Sequence, residues 1–319
     1  MSDQPTASDP DLPGDLGRAD GAAPQGAEGA EPAGADLNDA IEAPSTHHTV
    51  PSKESESYTH GHHESVLRSH RSRTAQNSAG FLLPHLRDDM SLLDVGCGPG
   101  TVTADLARIL AGGEVVGVDA SGKVLDAARE HAAALGYANV RFEEATAYEL
   151  PFADDTFDVV YAHQLLQHLS DPVAALREMR RVAKPGGLVA VRDADYAAMA
   201  WYPQSPGLEE WNALYHEVTH AYGFEPDAGR RLMSWVQEAG LDGVVPSASS
   251  WCYATPTDRQ WWGELWAERC VESNFAVQAK ESGLADEVAL EQIAQDWQAW
   301  AQAPDGWFAI LHGEVLARA

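Results

Sequence analysis

The chain has 319 residues, with 21 basic and 49 acidic side chains for a formal net charge of −28, 44% hydrophobic residues and 22% charged ones. That length and apolar content suffice for one larger α/β domain with a tail, or for two small domains. A surface this acidic repels phosphate backbones and anionic lipid headgroups, so neither a nucleic-acid nor a membrane partner is expected.

No apolar run is long enough to cross a bilayer, and Met1-Ser2-Asp3-Gln4-Pro5 lacks the basic-then-apolar order of a signal peptide. The three cysteines, Cys97, Cys252 and Cys270, are widely spaced and make no metal-like pair. A reducing, cytoplasmic setting and no metal site are the expectation.

Residues 1–52 are rich in Ala, Gly, Pro and Asp, Arg18 is their only basic side chain, and the first aromatic is Tyr58. Such a segment buries too little apolar surface to offset its ordering entropy. A disordered acidic tail is therefore expected over 1–56, and a folded domain over 57–319. A helical pattern begins near Ser65, anchored by Val66, Leu67, Phe81, Leu82, Leu83 and Leu86. The periodicity then switches. Strands are predicted over 91–95, 114–119, 140–144 and 157–162, with helices over 103–110 and 122–134 between them. Asp171 caps a helix that opens on Pro172 and ends at Lys184-Pro185-Gly186-Gly187, which turns into a strand over 188–191. Alternating strands and helices imply a mostly parallel, doubly wound sheet. Beyond it, helices are predicted over 207–222, 227–239, 257–282 and 287–302, and strands over 244–254 and 307–316. All ten tryptophans follow residue 200.

The loop Gly96-Cys97-Gly98-Pro99-Gly100 follows a strand and opens a helix, where glycines allow a tight turn and bring backbone N–H groups close to a nucleoside ligand. Its spacing is G-x-G-x-G, whereas the dinucleotide fingerprint places the third glycine one position later. The preceding Asp94 would repel a pyrophosphate but suits a ligand carrying an amino group and a sulfonium. Asp119, closing the second strand, can accept both hydrogen bonds of a ribose diol, a property that serves either kind of nucleoside.

Taken in order, the run 92–100, Asp119, Glu149-Leu150-Pro151-Phe152 with Phe157-Asp158-Val159-Val160, Leu169-Ser170-Asp171-Pro172 and Lys184-Pro185-Gly186-Gly187 resemble the class I methyltransferases that use S-adenosylmethionine (SAM). The likeness is to the ubiquinone/menaquinone-biosynthesis-like branch, and it spans roughly 58–195. The resemblance implies a Rossmann-like sheet of seven strands, its last two antiparallel additions at one edge, with a C-terminal helical insertion. It also implies a cofactor core over about 65–195 and an acceptor or lid region over about 196–305. SAM is the implied cofactor. Asp94, Gly96, Cys97, Gly98 and Gly100 would hold its methionyl part, Asp119 its ribose, and Ala120 and Ser121 would flank its adenine. Thr146 and Ala147 would lie near the exocyclic amine, although relatives often carry an acid where Thr146 stands, and His163 would sit beside the sulfonium. Tyr58 and Arg73 would act as a lid near the SAM carboxylate.

The remaining candidates each have a plainer reading. Tyr58-Thr59-His60-Gly61-His62-His63, with the basic run through Arg73, is a lid over the cofactor, a metal site lacking a completing acid or cysteine, or a solvated helix start. His163 and His168 are candidate catalytic bases, or a cofactor-packing ring and a structural ring. Arg192, Asp193 and Asp195 are expected to face the same cleft, the acids orienting an acceptor or capping a loop. The tryptophans build either a core or an aromatic acceptor pocket. The expected reaction is methyl transfer to a small-molecule acceptor, aromatic or apolar, through an O, N, S or C nucleophile. An RNA or protein methyltransferase, a nicotinamide oxidoreductase and a catalytically silent SAM-binding module are the alternatives.

Overall fold

The computed structural model describes residues 68–70 and 72–319. The expected tail, Tyr58 and the His60, His62 and His63 cluster lie outside the described residues.

Strands β1 (Leu92–Val95), β2 (Val115–Asp119), β3 (Val140–Glu144), β4 (Phe157–His163), β5 (Ala183–Tyr202), β6 (Asp242–Tyr253) and β7 (Trp307–Arg318) form one sheet in the order β3-β2-β1-β4-β5-β7-β6. The five strands from β3 to β5 pair in parallel, and β7 runs antiparallel to both β5 and β6. The α/β sheet of seven strands with an antiparallel edge is thus as expected. Its central strand is buried at every position, which is why Leu92-Leu93-Asp94-Val95 reads as a continuous apolar run interrupted only by the functional acid.

One face of the sheet packs on α4 (Pro172–Val182) and α6 (Ala228–Glu238) through Leu93, Val160, Leu176, Met179, Leu232 and Val236. The other packs on the short α1 (Ala75–Ser78) and on α2 (Thr101–Ile109), with α3 (Gly122–Leu135) flanking β2 and β3. Helix α4 starts as its sequence dictates, with Pro172 in the first turn and Asp171 accepting from the Ala174 N–H at 3.0 Å.

The helices α5 (Pro206–Ala221), α7 (Pro256–Glu272), α8 (Asn274–Glu281) and α9 (Glu287–Gln302) form a separate layer around an aromatic core. Trp211 sits at its centre, edge-on to Trp266 at 4.5 Å and to Trp297 at 4.8 Å.

Two predicted elements differ. The helix expected over 257–282 breaks at Ser273, whose extended backbone (φ −87°, ψ 174°) and hydroxyl, accepting from the Phe275 N–H, restart the chain as α8. The strand expected over 188–191 is far longer. β5 runs on to Tyr202 past an irregularity between Asp195 and Ala200, because β7 pairs with it on both sides of that break.

Candidate functional site

A cavity of about 1150 Å³ opens at the C-terminal ends of β1, β2 and β4. Asp94, Gly96, Cys97, Gly98, Asp119, Ala120, Ser121, Thr146, Ala147, His163, His168 and Arg73 all line it, so twelve widely spaced residues converge on one place. Gly100 does not line it. With φ 74° it is the left-handed N-cap of α2, and a Cβ there would stand 2.8 Å from Ala128 Cβ and 3.0 Å from the Phe142 ring. Its glycine is required by strand–helix packing.

Gly96 and Gly98 also have positive φ, 74° and 54°, and lie on the cavity wall. The loop is clamped from below: the Gly96 and Cys97 N–H groups donate to the Val118 carbonyl at 2.8 and 2.9 Å. Asp119 Oδ2 accepts from the Gly98 N–H at 3.0 Å and its Oδ1 from the Ser121 N–H at 2.9 Å. Asp119 also lines the cavity. Asp94 is 3% exposed and accepts from the Thr103 hydroxyl at 2.6 Å. Burial pushes its pKa up to about 7; the Thr103 hydrogen bond opposes this and the nearby Asp119 charge adds to it. Burial likewise raises the Cys97 thiol, which leaves it an unreactive part of the wall.

His163, at the end of β4, is buried, and burial with the Arg73 and Arg192 charges holds its pKa well below the usual histidine value. Arg192 Nη1 lies 3.5 Å from its Nδ1; since arginine only donates, Nδ1 accepts and the proton sits on Nε2. His168 is lowered to about 3 by burial and the Arg73 and Arg269 charges. Its Nε2 lies 2.8 Å from Gln167 Nε2, and the Gln167 carbonyl oxygen is committed to the Ala194 N–H, so Nε2 accepts. Both imidazoles are neutral with an acceptor nitrogen engaged, the reverse of what a general base needs.

The acids of β5, Asp193 and Asp195, do not face the cavity as expected. Asp193 is wholly buried, accepts from the Gln167 N–H, and is raised to about 7 by burial. Asp195 makes a two-pronged ion pair with Arg230 of α6 and caps the Ala198 N–H. Arg192 turns instead to Glu314 and Ser249, each at 3.2 Å, and over the Trp251 ring at 4.8 Å. The alternation of side chains along a strand separates Arg192 from Asp193.

Other wall residues escape sequence reasoning. Gln164 takes a rare positive φ of 49°; its carbonyl accepts from Arg73, and its amide nitrogen meets His312 Nε2 at 2.8 Å. Glu272, Ser273, Asn274 and Val277, at the α7–α8 junction, also line the cavity. The one local signal for that wall is a serine just before an apolar run, a helix-start pattern at Ser273.

Among the described residues no helix is long and apolar enough to cross a membrane. A family model described as a methyltransferase domain matches residues 86–240. An uncharacterized methyltransferase of Schizosaccharomyces pombe is 34% identical over 81% of this chain and 95% of its own. A probable methyltransferase of Aspergillus luteorubrus is 31% identical over 82% and 96%. A ubiquinone biosynthesis O-methyltransferase of Cereibacter sphaeroides is 30% identical over 53% of this chain and 69% of its own. With its sheet order, its glycine loop between two acids and these relatives, the chain belongs to the class I SAM-dependent methyltransferases.

Proposed function

We propose that this enzyme methylates a small molecule. The observation that carries the reading is the wall at the α7–α8 junction. Side chains of the helical layer close the cofactor cavity into a space suited to SAM and a compact acceptor, and the chain's net charge of −28 disfavours an RNA.

The residues present fit SAM. The Gly96 and Gly98 backbone leaves a cradle, Asp94 offers a buried carboxylate for the methionyl amino group, and Asp119 on the cavity wall offers a carboxylate for the ribose diol. Ala120 and Ser121 would flank the adenine, with Thr146 and Ala147 near its amine and Arg73, steered by Gln164, near the carboxylate. When bound, SAM supplies an electrophilic methyl on a sulfonium. The chain contributes alignment and exclusion of water. His163 and His168 act in this scheme by placement, because their ring nitrogens are neutral and poorly basic. Residues 65–195 serve as the cofactor core, and 196–305 supply the acceptor side.

Incubation with methyl-labelled SAM and a whole-cell extract, followed by ultrafiltration, tests the reading. After chromatography of the filtrate, label is expected in a product that separates from SAM and its breakdown products and is missing when boiled enzyme is used. Label confined to protein or RNA refutes it.

A further inference from the structure

Gln164 follows β4 directly and is held at both its backbone and its side chain. The backbone takes a left-handed φ of 49° and its N–H donates to the Arg192 carbonyl at 2.7 Å. The side chain reaches Arg73 with one end and His312 of β7 with the other. A guanidinium only donates, so the Gln164 carbonyl oxygen faces Arg73 and the amide nitrogen donates to His312 Nε2, 2.8 Å away. That Nε2 therefore carries a lone pair, and the proton of the ring sits on Nδ1. Burial, with the Arg192 and Arg73 charges, holds the His312 pKa well below the usual histidine value, which keeps the ring in this neutral, accepting form.

His312 is wholly buried in the middle of β7, opposite Ala194 of β5 and Ser249 of β6, so a ladder holds its backbone on either side. The Trp251 ring backs the arrangement, 4.5 Å from the His312 ring and 5.9 Å from the guanidinium carbon of Arg73. A side chain on a sheet ladder is a firmer anchor than one on a loop. Without the His312 acceptor the Gln164 amide is free to turn end for end, and it would then present N–H groups to a guanidinium that accepts nothing. We infer that His312 is a positioning residue for the cofactor's carboxylate, aiming Arg73 through Gln164. This role rests on the placement of Arg73 beside the methionyl carboxylate and is independent of what accepts the methyl group. The antiparallel edge of the sheet thereby takes part in holding the cofactor.

The full-length protein is titrated by calorimetry with S-adenosylhomocysteine and with its decarboxylated counterpart, which lacks only the carboxylate. The wild type is expected to bind S-adenosylhomocysteine about tenfold or more tightly than the decarboxylated ligand. His312→Leu should shrink that ratio about threefold or more by weakening S-adenosylhomocysteine, while the decarboxylated ligand keeps its wild-type affinity. Gln164→Met should also shrink the ratio, and the double variant should lose no more than Gln164→Met alone. Arg73→Gln should abolish the ratio. A ratio that falls in Arg73→Gln and holds in His312→Leu overturns the role of His312 alone. A wild-type ratio in Arg73→Gln refutes the placement of Arg73, and the role of His312 with it. Equal losses for both ligands in His312→Leu mark a residue that only packs the core and overturn the inference. So do additive losses in the double variant, which break the link through Gln164. Should His312→Leu fail to fold, a wild-type ratio in Gln164→Met overturns the inference by itself.

Discussion

Replacing Asp94 by Asn should stabilise the ligand-free protein and weaken its grip on SAM. The Asp94 carboxyl is buried and keeps its proton up to about pH 7, whereas an unfolded aspartate releases it near 3.8. The folded chain therefore binds this proton more tightly. The associated stability is fully present below about pH 4 and is lost as pH rises through 7. The full span corresponds to about 4 kcal/mol. Asn keeps an acceptor for the Thr103 hydroxyl and carries no charge, so Asp94→Asn should recover about 2–4 kcal/mol at pH 8. For a domain of this size, that is roughly 2–4 °C in Tm for each kcal/mol. SAM binding should move the other way. A cationic ligand needs the ionised acid, so wild-type affinity should climb by about tenfold per pH unit up to 7 and level off above it. In the variant it should be weaker at pH 8 and flat. Asp193, also raised to about 7, lies off the cavity and is common to both proteins. Differential scanning fluorimetry and calorimetric titration from pH 5 to 8.5 provide the measurements. No gain in Tm at pH 8, or parallel pH profiles for SAM, would refute the reasoning.

Asp119→Ala should weaken SAM binding by about 1–3 kcal/mol, because it removes the charged acceptor for the ribose and the partner of the Gly98 and Ser121 N–H groups; wild-type affinity by calorimetry would contradict the ribose assignment. Gly100→Ala should cost about 2–4 kcal/mol in urea unfolding, from its positive φ and the overlap with Ala128 and Phe142, while folded protein keeps its SAM affinity. Trp211→Ala should cost about 3–5 kcal/mol by emptying the centre of the helical layer, and a loss below 1 kcal/mol would show that this core is not tightly packed.

The cofactor side was legible in the amino-acid sequence because its determinants are local. Gly96 and Gly98 mark backbone that needs positive φ, Asp94 interrupts an apolar strand, and Asp119 ends the next one. The acceptor side was less so. Its wall is made by Ser273, Asn274 and Val277 meeting Arg73 and Gln164 from far along the chain, and no spacing rule encodes such a meeting. The Arg192–Glu314 pair depends on the register of β5 against β7, and the alternation along that strand puts Arg192 on the face opposite Asp193 and Asp195. The basicity of His163 and His168 is hidden for a related reason, since residue type reveals a near-neutral pKa but not the burial and arginine charges that depress it.

The length of β5 has a mechanical consequence. One strand begins beside the start of β4, comes level with the cavity edge at Arg192 opposite His163, and ends at Tyr202 in the aromatic layer, with β7 paired to it before and after an irregularity. Enzymes whose two lobes clamp a ligand swing about a linker, but here such a swing would break β5–β7 hydrogen bonds on either side of the irregularity, at about 1 kcal/mol for each. This pairing should therefore resist a hinge motion between the parallel part of the sheet and the helical layer. Ligand traffic then falls to the cavity wall formed by His70, Arg73, Ser273, Asn274 and Val277. Residence times should then follow side-chain contacts at that wall and be insensitive to solvent viscosity on the scale of domain motion.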